Sequence, residues 1–114
     1  MIFWEEDALK DRQYFFKYLY QFDPKVAHRC DEVIEKNISL LNEHPHLGVK
    51  KPGLPGRFLI IPAYDISIFY IIQSMAQKTN QDSVKHSIVN NVDILVLRIL
   101  HQKQQFPPPN PESL

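Results

Sequence analysis

The spacing of apolar positions changes character along the chain. Between Glu5 and Phe22 there is no Gly or Pro, and Ala8, Phe15, Leu19 and Phe22 recur at seven-, four- and three-residue steps, the repeat of an amphipathic helix. Glu5, Glu6 and Asp7 fall in its first turn, where acids suit the positive end of the helix dipole. Its aromatics (Tyr14, Phe15, Phe16, Tyr18, Tyr20 and Phe22) are too many for one stripe. The expectation is a helix buried on two faces, with an exposed interaction patch as the alternative. Asp23-Pro24 then interrupts the pattern: Asp23 is placed to cap a second helix and Pro24 to occupy its first turn, where a missing N–H costs nothing. Ala27, Cys30, Ile34, Ile38 and Leu41 form one apolar stripe, so the second helix is expected to end near Glu43, before Pro45 and Gly48. Two helices joined by so short a link make an antiparallel hairpin.

From His44 to Gly56 the period is lost. This segment holds Pro45, Pro52 and Pro55 and all three glycines, Gly48, Gly53 and Gly56, and reads as a loop. Beyond it the period is that of strands. Met1–Trp4, Arg57–Pro62, Ile66–Gln73 and Val92–Leu100 are the expected strands, with a hairpin at Pro62-Ala63-Tyr64-Asp65. Strict alternation puts Ile66, Ile68, Tyr70 and Ile72 on one face of their strand. In the last strand it puts Val92, Ile94, Val96 and Arg98 on one face and Leu95, Leu97, Ile99 and His101 on the other. Ser74 to Asn91 is polar and reads as a solvated insertion, and Pro107–Pro109 with Pro111 end regular structure. The expected order is β-α-α-β-β-β, an α+β fold with a helical hairpin on a small antiparallel sheet: one domain over residues 1–107 and a Pro-rich tail over 108–114.

Composition narrows the function classes. At 114 residues, 44% hydrophobic and 23% charged, the chain has one globular core and no apolar run of the ~18 residues a membrane span needs. A single cysteine, Cys30, excludes an internal disulfide or a Cys-rich zinc site, and a cytoplasmic protein is expected. The net charge is zero but divided. Residues 1–47 carry six Lys/Arg and nine Asp/Glu, and residues 48–106 carry seven Lys/Arg and three Asp. The second half, at +4, suits an acidic partner or a polyanion.

Five strings, in order, resemble the ParE/RelE toxin superfamily of bacterial type II toxin–antitoxin modules. Trp4-Glu5-Glu6-Asp7-Ala8-Leu9-Lys10-Asp11 is similar to that family's opening strand and first helix, and Asp23-Pro24-Lys25-Val26-Ala27 to its helix–helix link. His44-Pro45-His46-Leu47-Gly48 resembles its P-x-x-G loop, and Pro55-Gly56-Arg57-Phe58-Leu59-Ile60 the start of its second strand. The segment from Val96 to Pro107 resembles its last strand, with Arg98 and His101 in Arg-x-x-His order and Phe106-Pro107 beyond. The resemblance implies a growth-inhibiting toxin, of the kind linked to plasmid stabilisation, that a cognate antitoxin neutralises. ParE-like members poison DNA gyrase, and RelE-like members cleave messenger RNA on the ribosome. A degenerate, non-toxic paralogue would share the same strings.

The residues favour the ParE-like expectation. Metal-free RNA cleavage needs a base, an acid and cations around one phosphate. Arg57, Arg98 and His101 are the candidate catalytic groups, but Arg98 and His101 point to opposite faces of an unbroken strand, and no Tyr follows Tyr70. Lys50, Lys51, Arg57, Arg98 and Lys103 are the candidate target- or antitoxin-binding cations. His28, His44, His46, His86 and His101 show no metal-ligand spacing, so neither metal nor cofactor is expected. Cys30 falls on the apolar stripe and reads as core. Arg98→Ala is expected to weaken toxicity with the fold intact, whereas a buried, paired arginine would cost several kcal/mol to remove.

Overall fold

The computed structural model describes residues 1–74 and 92–101. The expectations for the insertion beyond Ser74, for Lys103 and for the Pro-rich tail fall outside those residues. Strand β1 (Ile2–Trp4) leads into α1 (Glu6–Phe22), α2 (Pro24–Leu40), β2 (Val49–Lys50), β3 (Arg57–Ile61), a single 3-10 turn (Pro62–Tyr64), β4 (Ile66–Ser74) and β5 (Val92–His101).

The helical hairpin turns on one residue. The Asp23 N–H donates to the Leu19 carbonyl at 2.9 Å and closes α1. Its carboxylate accepts from the Lys25 N–H at 3.0 Å and caps α2, with Pro24 at the first position. Arg12 then fixes the two helices together. Its Nε donates to Asp31 at 2.7 Å, a second nitrogen reaches Glu35 at 3.1 Å, and its guanidinium lies over the Trp4 ring 5.1 Å from the centroid. Hydrogen bonding to Asp31 is the main reason its pKa is raised, so the guanidinium stays charged throughout.

The sheet has five strands in the order β1-β5-β4-β3-β2. The α+β class and the hairpin on a sheet are as the pattern implies. The sheet is mixed, because β1 pairs with β5 in parallel, Ile2 opposite Ile94 and Trp4 opposite Val96, while the remaining pairs are antiparallel. The segment read as pure loop contains β2, whose Val49 and Lys50 pair with Phe58 and Arg57. Two residues are too few to show an alternation, which is why the pattern misses them. The helix α2 ends at Leu40, and its last turn runs on through bonds from Leu41, Asn42 and Glu43.

Two burial expectations are corrected. On α1 only Ala8, Asp11 and Phe15 are buried, and the two-faced helix does not occur: Tyr14, Tyr18, Tyr20 and Phe22 are exposed. On β5 a bulge breaks the alternation. Phe69 faces Arg98 and Tyr70 faces Val96, so Leu97 is an extra residue between them. Ile99 and His101 therefore join the face of Ile94 and Val96, opposite Ile68 and Ile66 of β4.

The core lies between the hairpin and this face. Phe15, Cys30, Ile34, Ile38 and Leu41 from the helical side meet Leu59, Ile68, Tyr70, Ile94, Val96 and Ile99 from the sheet. The stripe read for α2 is buried throughout. Burial raises the Cys30 thiol to about 11, the state of a core residue rather than a nucleophile.

Candidate functional site

Two groups of charged residues lie at different places on the sheet. The first gathers at the end of β2, β3 and β4. Arg57 opens β3 with Lys50 opposite it on β2 and Tyr70 opposite it on β4. These three, with His46, line a cleft of about 200 Å³ closed by Pro55, Gly56, Ile71 and Ile72. Tyr70 shapes the cleft. Its hydroxyl donates to the Pro45 carbonyl at 2.7 Å and accepts from the Gly48 N–H at 2.8 Å. Burial raises its pKa against the opposing pull of the Gly48 N–H and the Arg57 charge, so the phenol keeps its proton. The loop must pass close to this ring: a Cβ at Gly48 would lie 2.8 Å from the Tyr70 hydroxyl, and one at Gly56 would lie 2.4 Å from its carbonyl oxygen. Arg57 braces the same loop, donating to the Gly48 carbonyl at 2.9 Å and to the His46 carbonyl at 3.4 Å. Lys51 turns to the opposite face of the sheet, over the Phe58 ring at 4.9 Å, and Phe58 stacks on Phe69.

The second group lies on the open edge of β5. After Trp4 the chain leaves β1 for α1, with the Glu5 N–H still bonded to the Val96 carbonyl, and from there on the edge of β5 away from β4 has no strand beside it among the described residues. Asp11 of α1 takes the empty place. Its carboxylate accepts from the Ile99 N–H at 2.9 Å and from two guanidinium nitrogens of Arg98, at 2.7 and 3.0 Å. Asp11 is 7% exposed, so this buried carboxylate is held by one backbone donor and one bidentate cation. The Asp11 hydrogen bonds are also the main reason the Arg98 pKa is raised. His101, two residues beyond Ile99, lies against Phe15, ring centroids 5.6 Å apart.

The structure thus brings Lys50 and Arg57 together, with His46 and Tyr70, and places Arg98 and His101 apart from them on β5. Asp11 and Tyr70 are the residues that the sequence reading does not single out as site-forming. Asp11 carries a signal: it lies three residues after Ala8 and four before Phe15, on the buried stripe, where a carboxylate must find partners. Tyr70 carries none, because its partners come from a loop without period.

Among the described residues no group of His, Cys, Asp or Glu is arranged to hold a metal ion, and no helix is long and apolar enough to cross a membrane. The model of the family described as the ParE toxin of the type II toxin–antitoxin system, parDE, matches residues 2–106. The chain belongs to the ParE toxin family. No curated protein matches it. Family membership makes the protein the toxin of a type II module and implies an antitoxin as its partner. In this ParE-family toxin the matched span runs from β1 through the last described residue of β5, so the cleft and the Asp11–Arg98 clamp both fall within it.

Proposed function

We propose that this toxin inhibits growth by binding DNA gyrase in the cytoplasm, without bond-breaking chemistry of its own, and that a cognate antitoxin neutralises it. The observation that supports this reading is the clamp. Arg98, the cation a nuclease would aim at a phosphate, is held bidentately by a buried carboxylate and joins α1 to β5. His101 is turned toward Phe15. Lys50, Lys51, Arg57 and Lys103 are the proposed contacts to target or antitoxin, and Arg98 supports them by holding the frame. The antitoxin is proposed to lie across the helical hairpin and the basic end of the sheet. The excess of cations beyond residue 48 supports that placement and makes the association sensitive to salt. Affinity that is unchanged between low and high salt would count against it.

One observation favours a second reading. Lys50 and Arg57 converge with His46 on one cleft, as a ribosome-dependent endoribonuclease would require of its phosphate site. Inducing the toxin in cells separates the two readings. The gyrase reading expects a DNA-damage response with intact messengers. Messenger cleavage that begins within minutes of induction, without that response, selects the ribonuclease.

A further inference from the structure

Arg12 and Arg98 grip their acids in the same way. Arg12 donates from Nε and Nη2 to the two oxygens of Asp31, at 2.7 and 3.0 Å. Arg98 donates from Nε and Nη2 to the two oxygens of Asp11, again at 2.7 and 3.0 Å. This edge of a guanidinium is a planar fork that matches both oxygens of one carboxylate. Arg57 carries the same fork but uses another nitrogen for the fold. Its Nη1 donates to the Gly48 carbonyl at 2.9 Å and to the His46 carbonyl at 3.4 Å. Its Nε and Nη2 have no acceptor among the described residues.

The surroundings call for an anion. Lys50 lies directly opposite Arg57 across the β2–β3 pair, and both line the same cleft. Like charges directly opposite on neighbouring strands repel. No Asp or Glu lines the cleft among the described residues. Elsewhere cations are balanced: Arg12 meets Asp31 and Glu35, Arg98 meets Asp11, and Lys10 meets Glu6. Lys50 and Arg57 have no such partner among the described residues. One anion between them would exchange a repulsion for two attractions.

Size and walls select the kind of anion. Small-molecule sites generally begin at about 300 Å³, whereas this cleft holds about 200 Å³. That is room for one side chain, not for a nucleotide. Pro55, Ile71 and Ile72 give it an apolar side, which suits the aliphatic stem of an acidic residue and an apolar neighbour. The walls are also fixed in advance. The Tyr70 hydroxyl joins the Pro45 carbonyl to the Gly48 N–H, and Arg57 Nη1 holds the same loop, so little ordering opposes binding.

We propose that this cleft takes one carboxylate side chain, an Asp or Glu of the antitoxin, with its two oxygens on the Nε–Nη2 fork of Arg57 and the Lys50 ammonium beside them. The assignment rests on the reading that the antitoxin covers the basic end of the sheet.

The arginine Nε–H resonances of the isotope-labelled toxin test this. Those of Arg12 and Arg98 serve as internal standards for an engaged fork. In the free toxin the Arg57 Nε–H is expected to exchange with water faster than either. Titrating the tripeptide acetyl-Leu-Glu-Leu-amide should slow that exchange and move the signal saturably toward theirs, while the Gln counterpart should not. Lys50→Gln should weaken the tripeptide about two- to fivefold, and Lys50→Arg should restore it. No saturable movement with the Glu tripeptide would overturn the proposal. Tighter binding of inorganic phosphate at equal ionic strength would also overturn it, in favour of a nucleic-acid phosphate. So would an engaged Arg57 signal in the toxin alone that is lost on dilution, which would assign the acid to a second copy. In the complex with the antitoxin the Arg57 signal should take the engaged position. A complex that forms and leaves this signal unchanged overturns the assignment alone; an antitoxin that does not bind overturns the underlying reading as well.

Discussion

Arg57 and Arg98 sit on the same sheet, yet their surroundings differ in kind. Arg98 meets a buried carboxylate that also satisfies the Ile99 N–H, and three hydrogen bonds converge on one side chain of α1. Among the described residues Arg57 donates hydrogen bonds to main-chain carbonyls, those of Gly48 and His46, at the rim of an open cleft. A charge facing a buried opposite charge is needed by the fold, because removing it strands the buried Asp11 carboxylate away from water. A charge facing neutral carbonyls near solvent keeps most of its field for whatever arrives. The β5 edge is therefore read as structure, and the β2–β3 end as the presented surface.

The largest effect is expected at Asp11. Asp11→Ala removes the acceptor of the buried Ile99 N–H together with two charge-assisted bonds from Arg98, and should lower stability by about 3–5 kcal/mol, read from the urea midpoint. Arg98→Ala should cost somewhat less, about 2–3 kcal/mol, because Asp11 keeps the Ile99 N–H. This replaces the sequence-based expectation that Arg98→Ala leaves the fold intact. In a double-mutant cycle the two losses should fall well short of additive. Full additivity would break the comparison, by showing that the pair contributes nothing as a pair.

The loop end should respond more weakly. Tyr70→Phe removes the hydroxyl that joins Pro45 to Gly48 and strands a buried N–H, for about 1–3 kcal/mol. Arg57→Ala should change stability by less than about 1 kcal/mol, since its bonds are to neutral, partly solvated acceptors. If Arg57 belongs to the contact surface, the same substitution should nevertheless weaken toxicity at unchanged protein level. A large stability loss at Arg57, read by thermal melting, would erase the contrast between the two arginines.

What the sequence made legible follows from how local each determinant is. The hairpin was readable because Asp23-Pro24 carries its own stop and start, and α2 because Ala27, Cys30, Ile34, Ile38 and Leu41 form a single stripe. The faces of β4 were readable because Ile66, Ile68 and Tyr70 alternate without a break. The face of Ile99 and His101 was not, because one extra residue at Leu97 inverts everything after it and leaves no mark in composition. The same bulge lies next to the Asp11–Arg98 clamp, whose partners are far apart in sequence and share no motif. On α1 the count of aromatics suggested burial, but a two-helix hairpin on one sheet face offers α1 only one neighbour on each side. The surplus rings stay outside.

The most direct test of the functional account is a paired reaction with purified toxin. One arm follows the supercoiling of relaxed plasmid by gyrase. The other follows messenger integrity on translating ribosomes. The account predicts that supercoiling is inhibited, that inhibition weakens with Arg57→Ala, and that messengers remain whole. Messenger cleavage on ribosomes, lost with Arg57→Ala while gyrase works unimpaired, would contradict it.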